Sequence, residues 1–224
     1  GEIPILQTFQ MLGNPNFLVF IIASMVIAGL MQFYFLGSAQ FMQDSGISSK
    51  HVPASMALAQ VAQAAATFFL LGLFLTQFQF KWTLVIGAGC WFLMYVLYVV
   101  GKPQALLVVA QPLHGLAYVF FMIVGQIFAE SVAPEAIRSS MQALIFAATT
   151  GIGLFIGTHF AGIVMDKNSV DGKFQWSKVW IVPCMIMLIG ALALAAFFQD
   201  PAPDQKAKPN SDAPVSARDA ESAK

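Results

Sequence analysis

Charge is what this sequence of 224 residues has least of. Lys, Arg, Asp and Glu make up 10% of it and sum to zero at pH 7, against roughly 25% charged residues in soluble domains. That balance offers no basic surface for nucleic acid and no acidic face for a basic partner. Cysteine is almost missing too: Cys90 and Cys184 both lie inside apolar runs, which argues against a disulfide framework and for small packing residues. Also absent are HExxH, CxxC, GxSxG and P-loop patterns, so no hydrolytic, metal or nucleotide chemistry announces itself. The sequence points away from an enzyme and predicts neither cofactor nor metal.

What is present is apolar. Hydrophobic residues are 58% of the chain and Phe supplies 21 of its aromatics, with a mean hydropathy of +0.74. Six stretches carry no charge at all: 17–38, 54–75, 82–100, 104–128, 139–163 and 179–198. Each is long enough to cross about 30 Å of hydrocarbon as an α-helix, which takes about 20 residues. Strands of a closed barrel would alternate polar and apolar positions, which these runs do not. The expectation is an all-α membrane protein with six transmembrane helices and the lipid bilayer as its partner. Pro53, Pro103 and Pro134 stand at span starts, where a missing N–H costs little. Trp82, Trp176 and Trp180 stand at span ends and read as interfacial anchors. The short connections predict antiparallel neighbours.

The flanks differ from the spans. Residues 1–16 read as a segment preceding the first helix, and 199–224, rich in Pro, Ala, Ser, Asp and Lys, as a disordered polar tail. The chain opens Gly1-Glu2-Ile3-Pro4, which reads as cut from something longer. Lysines and arginines divide evenly between the two faces and assign no orientation.

Uncharged polar groups inside spans are tolerated where they face protein or a cavity. The third and sixth spans have few, so they read as lipid-facing; the other four read as inward-facing. The second span places Gln60, Gln63 and Thr67 on one helical face among alanines. The fourth carries a stripe of Gln111, His114, Tyr118, Met122 and Gly125, with Pro112 loosening the backbone near Val108. The first contributes Gln32. Each glutamine reads either as interhelical glue or as a site residue, and His114 as a hydrogen-bonded core residue or a proton relay. Gly153 and Gly157 form a GxxxG pair for close helix contact. Between the fourth and fifth spans, Arg138 is placed to pair with Glu130 or Glu135 as a structural clasp or gate.

These residues resemble a known family. Ala59-Gln60-Val61-Ala62-Gln63, Gly115-Leu116-Ala117-Tyr118 with Phe120-Phe121, Pro134-x3-Arg138-x3-Gln142 and Trp176-x3-Trp180 are similar, in order and spacing, to the C-terminal six-helix half of a major facilitator superfamily transporter, and most similar to the nucleoside–proton symporters. The resemblance implies two inverted three-helix repeats, a first, second, fourth and fifth helix around a central cavity, and both termini in the cytoplasm of a bacterial inner membrane. It also implies an N-terminal six-helix half of the same protein as a partner.

By that resemblance the chain is part of an alternating-access secondary transporter of nucleosides or similar small polar solutes, with protons as the coupled ion. Gln32, Gln60 and Gln63 would hydrogen-bond the solute with His114 and Met122 nearby, and Tyr118 or Phe121 would stack on a base. The chain departs from the family where Gln63 and Val119 stand in place of carboxylates and Phe35 in place of an asparagine. Proton coupling would then fall to His114 or to the N-terminal half. The alternatives are a transporter of another small solute, such as a sugar, and a non-transporting six-helix scaffold or receptor.

Overall fold

The computed structural model describes residues 4–202, and these are helical almost throughout. A short helix, α1 (Pro4–Gln10), occupies the segment expected to precede the first span. Asn14 then starts α2 (Pro15–Asp44): its side-chain oxygen accepts from the amides of Asn16 and Phe17, with Pro15 at the first turn. There follow α3 (Val52–Val100), α4 (Gln104–Val132), α5 (Glu135–Lys167) and α6 (Trp176–Phe197). Each of the five from α2 to α6 is long and apolar enough to cross a membrane.

Five helices still make six passes. Straight, the 49 residues of α3 would reach about 74 Å, more than twice the hydrocarbon thickness. Gln79 breaks the helix with φ 55° and ψ −160°, a conformation that costs a non-glycine residue of order 1–3 kcal/mol. Thr83 Oγ1 then donates to Phe74 O at 3.2 Å, a contact that nine residues of straight helix would forbid. The chain therefore reverses at Gln79, and α3 is two arms, 52–78 and 80–100. No loop separates the second and third spans; helix runs up to the break on both sides.

The strained turn is held from far along the chain. The Asp200 carboxylate accepts from the amides of Phe80 and Lys81 at 2.8 and 2.9 Å, capping the second arm as a local residue would. Beside it, Asn16 and Gln199 exchange two hydrogen bonds, Nδ2 to O and N to Oδ1, both 2.7 Å. Gln199 and Asp200 thus belong to the folded part, not to the predicted tail. The rest of that tail, from 203 on, lies outside the described residues.

Lipid gives helices no hydrophobic reason to associate, so close contact and hydrogen bonds must hold them together. α2 packs on α5, and the first arm of α3 on α4. The GxxxG pair sits where α2 and α5 cross: a Cβ on Gly153 would lie 2.8 Å from Met25 O, and one on Gly157 would strike the Gly29 backbone. At one end Phe20, Phe80, Phe128 and Phe198 interlock, with ring centroids 4.8–6.2 Å apart. At the other, Tyr95 and Tyr98 of the second arm meet Trp180 of α6 at 5.9 and 4.8 Å.

That second aromatic cluster corrects two expectations. Trp180 is fully buried and is no interfacial anchor, whereas Trp82 is half exposed as an anchor would be. The third span is not simply lipid-facing either, because Trp91, Tyr95 and Tyr98 are all buried at its inner flank. Tyr95 Oη donates to Leu30 O at 2.7 Å. Between α5 and α6 a small hairpin, β1 (Ser169–Val170) and β2 (Lys173–Phe174), turns at Asp171-Gly172, both at positive φ. This is the Asp-Gly signature of a two-residue hairpin turn.

Candidate functional site

The polar residues of the helices expected to face inward fall into two groups: one sealed into the protein, one left partly or fully exposed. The sealed group begins with Gln111, which is fully buried. Its Oε1 accepts from Tyr34 Oη at 2.8 Å, and its Nε2 donates to Tyr98 Oη and Leu107 O at 2.7 and 2.8 Å. Tyr98 Oη passes the chain on to Ser38 Oγ at 3.1 Å. Every polar atom of the Gln111 amide is engaged, so this residue ties α2, α3 and α4 together. Pro112 follows it within a continuous helix, and the Gln111 side chain takes the Leu107 carbonyl.

One turn on, His114 is nearly buried. Its ring stacks on Tyr34 with centroids 3.9 Å apart and planes 10° from parallel, and Phe35 meets it edge-on at 5.7 Å. Trp91 Nε1–H donates to His114 Nδ1 at 3.0 Å. Nothing in the composition of the third span marked Trp91 as a partner for His114, and only the packing joins them.

Gly115 follows. A Cβ there would run into Ala59 O and lie 2.8 Å from Gln63 N. The first arm of α3 and α4 therefore touch backbone to backbone at this level. Gln63 is left half-buried, and Gln60 and Thr67 are exposed. Gln32 is half-buried and spoken for in part: its Nε2 donates to Thr158 Oγ1 at 2.6 Å and reaches Leu154 O at 3.5 Å. Its carbonyl oxygen remains as an acceptor.

π-helical turns interrupt three of the four helices expected to face inward, at Ala66–Leu70, Tyr118–Ile123 and Ala147–Gly153. Such turns concentrate at functional sites, and each uses an extra residue, so it rotates everything beyond it. On α4 the rotation separates two residues expected to act alike. Tyr118 and Met122 are half-buried, but Phe121 is only 1% exposed. Phe121 packs against Gly87 and, at 6.0 Å, against the Trp91 ring, so it is a core residue and not a stacking platform. Gly125, also of the predicted stripe, is covered by Phe20. Phe35, 53% exposed, is an aromatic of the open face that the sequence had marked only as a departure.

The predicted clasp takes a different form. Glu130 accepts from Gln142 Nε2 at 3.4 Å, while Arg138 Nε is buried with no hydrogen-bond partner. Among the described residues no cluster of His, Cys, Asp and Glu has the spacing to hold a metal.

The sequence model of a family described as "Nucleoside H+ symporter" matches residues 2–203. The chain belongs to that family. Among relatives of the nucleoside H+ symporter family, it is 27% identical over 188 residues to the xanthosine permease of Escherichia coli (strain K12), covering 79% of this chain and 45% of the permease. It is 26% identical over 208 residues to the nucleoside permease NupG of the same organism, covering 87% and 49%. A crystal structure of the nucleoside transporter NupG in a mutant form superposes with a TM-score of 0.78 at 25% identity, covering 87% of this chain and 51% of that one. The chain spans about half the length of the relatives it matches. Its fold is therefore the six-helix C-terminal half of a major facilitator superfamily transporter, a multi-pass arrangement.

Proposed function

We propose that this chain forms the C-terminal half of a nucleoside transporter that works by alternating access, with both termini on the cytoplasmic side of a bacterial inner membrane. The observation that carries the reading is the open polar face itself. Gln60, Gln63 and the carbonyl oxygen of Gln32 supply donors and acceptors, while Phe35, Tyr118 and Met122 supply surface for a planar base, all without an ion. A neutral, flat solute rich in hydroxyl, carbonyl and ring-nitrogen groups suits such a face. The relatives named as nucleoside and xanthosine permeases support the same class of solute.

No Asp or Glu lies inside any of the spans. We therefore assign proton coupling to the N-terminal half, which this face would meet, and not to an acid of this chain. Gly153 and Gly157 keep α2 and α5 together as one body, and Arg138 stands at the α4–α5 turn as a gating residue.

Uptake of labelled uridine and adenosine by cells carrying the intact protein tests the reading. Uptake above that of empty cells, reduced by Gln60→Ala, is the expected result. Binding of uridine without flux in reconstituted vesicles would instead favour a receptor on the same fold.

A further inference from the structure

Trp91 belongs to a helix whose outer flank faces lipid, yet it is fully buried and spends its one polar hydrogen on His114. The consequence lies in the imidazole. A neutral histidine has one protonated ring nitrogen and one that accepts. Because Nδ1 receives the Trp91 hydrogen bond at 3.0 Å, it must be the bare nitrogen, and the ring's proton sits on Nε2.

The rest of the pocket holds that ring still. Tyr34 covers one face in parallel at 3.9 Å and Phe35 stands against its edge. Tyr34 is itself pinned through its hydroxyl to Gln111. Nε2 makes no hydrogen bond to protein among the described residues, and it is not one of the sealed, partnerless polar atoms, which are Ser24 Oγ, Arg138 Nε and Trp180 Nε1. Nε2–H is therefore not fully sealed within the remaining 3% exposure of His114, with Phe35 packed against the ring.

We propose that Trp91 is a positioning residue that locks His114 in the Nε2–H tautomer, so that the site presents one fixed N–H donor to a hydrogen-bond acceptor on the solute. The acceptor is a carbonyl oxygen or an unprotonated ring nitrogen, both of which a nucleobase carries. The solute part rests on the transporter reading above; the tautomer does not. A proton taken up at Nδ1 would set two N–H groups against each other, so the lock also makes His114 a donor and not a proton relay.

Two measurements test this. The first is ¹⁵N-histidine NMR of the protein in nanodiscs, with the His114 signals identified by their loss in His114→Gln. The expected spectrum shows a bare Nδ1 and a protonated Nε2 that become a tautomer mixture in Trp91→Phe. A wild-type spectrum with a protonated Nδ1, or with both tautomers, overturns the lock. If Trp91→Phe does not fold, the wild-type spectrum decides alone.

The second measurement is uridine uptake by the intact protein, as KM and kcat. One neutral hydrogen bond to the solute corresponds to about a two- to tenfold change. Trp91→Phe should raise KM by that factor with kcat little changed. His114→Gln, whose amide N–H can take the Nε2 position, should keep KM near wild type, and His114→Asn should not. In the His114→Gln background Trp91→Phe should have no further effect, because an amide has no tautomer to lock. An equal effect of Trp91→Phe in both backgrounds makes Trp91 merely structural and overturns the proposal. No uridine uptake by the wild type would remove the transporter reading and the solute part with it, while the spectrum still decides the lock.

Discussion

Replacing Gly157 by alanine should separate α2 from α5, and the size of the effect follows from what the new methyl group meets. A Cβ at Gly157 would run into Gly29 O and lie 2.5 and 2.6 Å from Gly29 Cα and C. All three are backbone atoms, so no rotamer change relieves the clash. Overpacking of this kind costs typically 1–3 kcal/mol. Alanine returns about 1 kcal/mol through its better helix propensity, leaving a net loss of up to about 2 kcal/mol. Gly162, five residues further along the same helix, has nothing within 4 Å of its would-be Cβ. Gly162→Ala should therefore be neutral or stabilising by up to about 1 kcal/mol. The helices also share the Gln32–Thr158 hydrogen bond beside the crossing. Moving α5 outward stretches it, so the loss in Gly157→Ala should shrink when Gln32 is already alanine. Reversible unfolding in mixed micelles, followed by circular dichroism, measures the wild type, the three single variants and the Gln32→Ala/Gly157→Ala double variant. Equal stabilities for Gly157→Ala and Gly162→Ala would refute the idea that backbone contact at Gly29 holds the pair.

Other outcomes follow from the same geometry. Gln111→Leu leaves the Tyr34 hydroxyl without its partner, while Tyr98 keeps its bond to Ser38, so it should lose about 1–3 kcal/mol for the one buried group left unsatisfied in the same unfolding assay. Asp200→Ala removes the cap on Phe80 and Lys81 and should lose about 0.5–2 kcal/mol; faster hydrogen exchange at those two amides, with partial recovery in Asp200→Asn, is the signature. Gln60 is exposed, so Gln60→Ala should leave thermal stability unchanged while weakening solute binding, as isothermal titration with uridine would register.

Much of this protein was legible in the sequence, for reasons that are local. A charge in hydrocarbon is costly wherever the helix packs, so six charge-free runs specify six passes before any tertiary contact forms. The third of those passes survives although it is joined to the second without a loop, because the requirement to recross belongs to the lipid and not to the connection. Small residues in sequence, Gly153 and Gly157, likewise announce a close crossing, since only backbone contact exploits them. The polar residues within the spans and the family resemblance assign the same four helices inward, and Gln111, His114 and Gly115 of α4 are indeed packed against neighbouring helices.

Only the tertiary structure could decide the direction and partner of single side chains. Phe121 and Tyr118 lie almost one turn apart and look interchangeable in sequence; the π turn between 118 and 123 sends one to the core and leaves the other at the open face. Trp180 has the composition of an interfacial anchor but falls between Tyr95 and Tyr98, which lie some 80 residues earlier. Asp200 looks like the first residue of a polar tail, yet its carboxylate meets a helix start that the sequence brings close only after four further passes. Trp91 and His114 meet for the same reason. The bilayer imposes its rule on every residue of a span at once, so composition reveals the span. A hydrogen bond depends on the rotation and register of two helices together, and a single run of residues carries no record of either.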